Sequence, residues 1–257
     1  VLDDREREEL RRLVREFLAD RSPEPAVRAA MDTEAGFDPH LWAGLGADGL
    51  GVCGLAVPVE YGGDGHTFAE VAVVLGELGR SLACVPYLSS VLLAQSLLLA
   101  AEPAGLPGPG DPVGPGGSVC AAEGQGGPVG SGSAAARWLP RLASGEARAA
   151  VAVVEAGGRW VPEAITTKAT PAHDGWRLTG TKEFVVDGHT ADVLFVAART
   201  DVAARTDVAA RTDVAARTDV AAGSGAAAGT GDSAVSLFEV APEQAHLHPA
   251  DHPGPHP

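Results

Sequence analysis

The feature that most constrains this chain is a break in texture: residues 103–133 are built mainly from Gly, Pro, Ser and small residues, and the patterning on either side of them has a different period. So few large apolar side chains cannot bury enough surface to offset the entropy of ordering, so the segment reads as a flexible linker. Upstream, apolar residues recur at helical spacing; downstream, they come in short β-prone runs separated by turn residues. The expected class is therefore α+β, with an N-terminal all-helical domain over residues 1–102. A small antiparallel β-sheet or β-barrel domain over residues 134–240 follows.

Leu10, Leu13, Val14, Phe17 and Leu18 form an amphipathic first helix that Pro23 and Pro25 end. Asp38-Pro39 pairs an N-cap with a first-turn proline ahead of Leu41, Trp42 and Leu45, which predicts a short second helix. Thr67-Phe68-Ala69-Glu70 is a capping box for a helix running to about residue 78, with Gly79 near its end. Another apolar helix is expected after Pro86, and a short one from Ala134 through Trp138 and Leu142.

Strands are expected over residues 149–154, 165–170, 176–179, 183–186, 193–197 and 235–240, with Asp174-Gly175 as a hairpin turn. Residues 198–221 are four copies of Ala-Arg-Thr-Asp-Val-Ala, a unit too short for a solenoid, and read as a solvated expansion of a strand-to-strand loop. Residues 241–257 read as a disordered tail. Its His246, His248, His252 and His256 lack carboxylate support, so no metal site is assigned.

The formal net charge of −15 excludes a general nucleic-acid or anionic-membrane surface, which needs clustered Lys and Arg. No run reaches the roughly 20 apolar residues of a membrane span, and no secretory signal opens the chain, so a cytoplasmic location is expected. Three cysteines without a CxxC pair fit neither a disulfide framework nor a zinc knuckle, and no GxGxxG opens a helix.

Four motifs in order resemble the acyl-CoA dehydrogenase family: Pro58-Val59-Glu60-Tyr61-Gly62-Gly63, then Glu77-Leu78-Gly79-Arg80, then Trp138-Leu139-Pro140-Arg141-Leu142-Ala143-Ser144-Gly145-Glu146. The strongest is Gly175-Trp176-Arg177-Leu178-Thr179-Gly180-Thr181-Lys182-Glu183-Phe184-Val185. The resemblance implies a helical domain and a middle β domain, with FAD held between the β domain and a C-terminal four-helix domain and across a subunit interface. It further implies an acyl-CoA substrate, a homo- or hetero-oligomer, and an electron acceptor that is itself a flavoprotein. The family's catalytic glutamate lies in the C-terminal helices, so the chain is expected to be a fragment that stops before its base, with no catalytic residue of its own.

Carried over by position, the cofactor-binding residues are Val153, Val154 and Glu155, in the run Val153-Val154-Glu155-Ala156 whose last three residues stand where the family has Thr-Glu-Pro, and Phe184, Val185 and Val186, where it has Trp-Ile-Thr. Both matched threonines are valines here, so the side-chain donors to FAD are absent. By pattern alone these valines are ordinary strand core. Tyr87, Ser90, Val91 and Ala94 fall on the helix that in the family borders the acyl chain, where plain helix packing is the competing reading. The leading function is flavin-dependent α,β-dehydrogenation of an acyl-CoA within a longer chain or oligomer. The alternatives are a non-catalytic partner subunit of a heteromeric enzyme and an inactive fragment.

Overall fold

A computed structural model describes residues 2–101, 134–172, 175–201 and 233–245. The linker, the turn residue Asp174, the repeat beyond residue 201 and the histidine tail lie outside the described residues.

Helix α1 (Asp4–Arg21) starts at a capping box: the Asp3 carboxylate accepts from the Glu6 amide at 2.8 Å, and Glu6 accepts from the Asp3 amide at 2.7 Å. It is followed by α2 (Glu24–Met31), which the sequence pattern does not lead one to expect because Pro23 and Pro25 read as terminators. A proline in the first turn removes a donor that has no intrahelical partner anyway, so Pro25 starts this helix instead. Asp38 caps α3 (Pro39–Leu45) by accepting from the His40 and Leu41 amides.

Thr67 and Glu70 form the expected box at the start of α4 (Phe68–Ser81), which runs to a left-handed Leu82 (φ 52°). Two acids on α4 are tied to α1: Glu70 accepts from Arg7 at 3.0 Å, and Glu77 takes a bidentate pair from Arg15 at 2.9 and 2.7 Å. The helix after Pro86 opens as a π-helix (Leu88–Ala94) before becoming α5 (Gln95–Ala101), and α6 spans Ala134–Ser144.

Five strands form one sheet: β1 (Ala149–Ala152), β2 (Lys168–Ala172), β3 (Gly175–Thr179), β4 (Val193–Asp201) and β5 (Ser233–Val240). β2–β3 and β4–β5 are antiparallel, as expected, but β1 pairs with β4 in parallel, and β2 meets β4 in parallel at Lys168 and Arg199. The α+β class holds with a mixed sheet in place of a wholly antiparallel one. The long connection between β1 and β4, which contains the β2–β3 pair, gives the chain room to return in the same direction.

The strand period of two decides what each face buries. Ala149 and Val151 of β1, with Val193 and Phe195 of β4, share a core with Ala94, Leu98, Trp138, Leu139 and Leu142 of the helices. Their alternates Ala150, Ala152, Leu194, Val196 and Ala198 pack with Trp176 and Phe238 on the other face, where the two rings meet edge to face at 5.6 Å. Among the described residues no helix is long and apolar enough to cross a membrane.

Candidate functional site

One expected strand does not form. Residues 183–186 make a loop, with Phe184 at φ 53° and Asp187 at φ 56°. The Glu183 amide donates to the Val154 carbonyl at 2.8 Å, and the left-handed Phe184 then turns the chain out of any ladder. This bond nonetheless lays the run 183–186 alongside Val153, Val154 and Glu155 at the end of β1. The two sets of candidate cofactor residues are thus brought together.

Their side chains differ in what they present. Phe184 is 75% exposed and Val186 42%, whereas Val154 is 2% exposed. Val153 is half-buried against the helical side of the core, and Val185 packs on the opposite cluster. Trp160, in the loop between β1 and β2, is a further large exposed apolar residue and lies outside the four motifs.

Glu155 is buried and its carboxylate is fully engaged. Lys182 donates to it at 2.7 Å, Thr167 donates through its amide at 2.9 Å and its hydroxyl at 2.6 Å, and Thr166 donates through its amide at 2.7 Å and its hydroxyl. Burial would raise this acid, but the Lys182 and threonine hydrogen bonds outweigh it and hold the carboxyl well below the usual range. A carboxylate so occupied is poorly suited to take a proton from a substrate. Lys182 also donates to the Val153 carbonyl at 3.2 Å, and burial pulls its own affinity for a proton down against the opposing pull of Glu155. Gly180 lies against Thr167, where a Cβ would come within 2.7 Å of the threonine Cα, so a glycine is needed for the approach.

Tyr87, Ser90, Val91 and Ala94 are all buried, Tyr87 and Val91 in the core of the helical half and Ser90 and Ala94 on the side of the π-helix that meets β1. The Tyr87 hydroxyl donates to the Val52 carbonyl at 2.7 Å, and Ser90 bonds to Ala149. Ser89 reaches Asp187 at 2.6 Å and so ties this helix to the residue after Val186. Sequence spacing does not single out Lys182, Thr166, Thr167, Ser89 or Asp187, because each acts through a partner distant along the chain.

The surface meets a flavin's needs in part. Phe184 and Val186 offer exposed apolar atoms to a flat ring, and Gly157 and Gly158, at φ 96° and 68°, have open space where a Cβ would stand. Neither position 154 nor position 186 carries a side-chain donor. Among the described residues no His, Cys, Asp and Glu cluster could hold a metal.

Residues 4–104 match the family model described as acyl-CoA dehydrogenase, N-terminal domain. Acyl-CoA dehydrogenase IpdE2 of Mycolicibacterium smegmatis is 43% identical over 93 residues, covering 36% of this chain and 30% of the relative. Mitochondrial isovaleryl-CoA dehydrogenase of Bos taurus is 29% identical over 199 residues, covering 77% of this chain and 40% of the relative. The chain thus spans well under half the length of either. The ChsE4-ChsE5 complex of Mycobacterium tuberculosis shares the fold at a TM-score of 0.58 and 25% identity, over 94% of this chain and 55% of that one. Motif order, fold and relatives agree in making the chain similar to acyl-CoA dehydrogenases, with residues 4–104 matching that family's N-terminal domain.

Proposed function

We propose that this chain supplies the helical and β portions of an FAD-dependent acyl-CoA dehydrogenase, divided at residues 1–102 and 134–240, acting in the cytoplasm within a longer chain or an assembled oligomer. The observation that carries the reading is the pairing of the runs 153–155 and 184–186 through the Glu183 to Val154 bond, which leaves Phe184 and Val186 facing outward. Bound flavin would supply the hydride-accepting chemistry, and the protein its orientation and surroundings. Phe184 and Val186 would cover one side of the ring and exclude water there. Tyr87, Ser90, Val91 and Ala94, on the helix that follows Pro86, would border the acyl chain of the acyl-CoA. Glu155 is tied up by its own chain, so the base that removes the α-proton comes from elsewhere in the protein, as the family pattern implies, and the isolated chain is inactive. A flavoprotein electron acceptor fits this chemistry.

A second reading, a partner subunit that shapes the pocket of a flavin-binding sister chain, is favoured by the valines at 154 and 186. The test is to load the longer chain or assembled oligomer that contains these residues with FAD and add a saturated acyl-CoA. Bleaching of the oxidised flavin absorbance supports dehydrogenation. A flavin-loaded protein that no acyl-CoA bleaches contradicts it, and flavin retained only when a sister chain is present favours the second reading.

A further inference from the structure

We propose that Glu155 and Lys182 are positioning residues that set the cofactor-facing loop, acting as one buried ion pair. Lys182 belongs to the loop 180–187, yet its ammonium lies 2.7 Å from Glu155 and 3.2 Å from the Val153 carbonyl, with its side chain 9% exposed. Glu155 in turn gathers Thr166 and Thr167 from the segment before β2. Three stretches distant in sequence are therefore fixed by one carboxylate. Only one amide bond, Glu183 to Val154, otherwise joins the loop to the end of β1 among the described backbone bonds.

A left-handed Phe184 with an exposed ring has little packing of its own to hold it. Such a conformation persists only where neighbouring structure enforces it. The residue before it donates to Val154, and the one before that is the buried lysine, so the ion pair sets where the aromatic ring emerges. The Glu155 carboxylate is taken up by Lys182, Thr166 and Thr167, so although Glu155 belongs to the candidate cofactor run, the side chains of the pair act through Phe184 and Val186. Its bearing on flavin rests on the functional reading above; its bearing on the loop does not.

The test is hydrogen exchange on the flavin-free chain beside an FAD titration followed by flavin fluorescence, in the unmodified chain and in Lys182→Met, Lys182→Arg and Glu155→Gln. Lys182→Met keeps the apolar stem and removes the charge. Expected is exchange at the Glu183 and Gly188 amides faster by about tenfold or more, with the β4–β5 amides at Val196 and Ala198 unchanged. FAD affinity should fall by about tenfold, and Lys182→Arg should recover part of both. Exchange at Glu183 and Gly188 that stays at the unmodified rate overturns the positioning role. Equal acceleration across β4 and β5 overturns it too, making the pair a general determinant of the fold. Local loosening with the same flavin affinity in every chain supports the positioning of the loop and contradicts the flavin reading.

Discussion

The Ser90 hydroxyl makes two hydrogen bonds to one residue, accepting from the Ala149 amide at 3.0 Å and donating to its carbonyl at 3.3 Å. β1 lies at the end of the sheet order, and Ala149 would otherwise leave both backbone groups open at a buried edge. A side chain thus does the work of a neighbouring strand and joins helix to sheet. Ser90→Ala removes both partners at once, and an orphaned buried group costs about 1–3 kcal/mol, so the urea midpoint should drop accordingly. A loss under about 0.5 kcal/mol would mean that water fills the gap.

Acid should loosen the α1–α4 contact. Burial works against ionisation of Glu70, but hydrogen bonds from Thr67 and Arg7 win and bring it down to about 2. Glu77 is brought to about 2 by the hydrogen bonds of Arg15, against burial and with help from Arg80. A carboxyl lowered in the folded state contributes stability that is present above the ordinary value of 4.5 and is lost as pH falls toward about 2. Urea midpoints at neutral pH and through this window should show the decline, and Glu77→Gln should flatten part of it. A midpoint that does not move over that range contradicts the argument.

Two glycines should respond to alanine with opposite signs. At Gly63 a Cβ would collide with the Val57 carbonyl and stand 2.6 Å from the Gly54 carbonyl oxygen, contacts with backbone that cannot swing aside. Gly63→Ala should cost more than about 2 kcal/mol. Gly76 lies exposed inside α4 with nothing within 4 Å of that position, so Gly76→Ala should stabilise by about 0.5–1 kcal/mol. Thermal melts of the two variants read the difference directly.

Local signals carry most of the helical half. The box at Thr67 and the cap at Asp38 are short-range chemistry, and they start helices where the sequence says. Pro25 misleads because the same missing amide can end one helix or begin another. The π-helix at Leu88–Ala94 leaves no composition signal, since an extra residue per turn is compatible with the same apolar pattern.

In the β half, alternation finds β1, β4 and β5 but says nothing of direction, which depends on where a long connection returns. Residues 183–186 read as a strand by propensity and become a loop because Glu183 and Lys182 are claimed by Val154 and Glu155. The same reason hides the ion pair from any sequence reading: its members are 27 residues apart and no periodicity links them.

Binding of FAD tests the central claim most directly. The candidate face offers Phe184, Val186 and backbone, and both matched hydroxyls are missing, so the unmodified chain alone should bind FAD weakly. Val154→Thr with Val186→Thr should tighten binding, two hydrogen bonds at about 0.5–1.5 kcal/mol each being worth roughly one to two orders of magnitude. The hydroxyl at the buried position 154 should cost some stability, which a parallel urea titration reads separately. A tighter double variant is the expected result of titrating FAD against both chains. Tight stoichiometric flavin in the unmodified chain, or equal affinities in the two, would contradict the account.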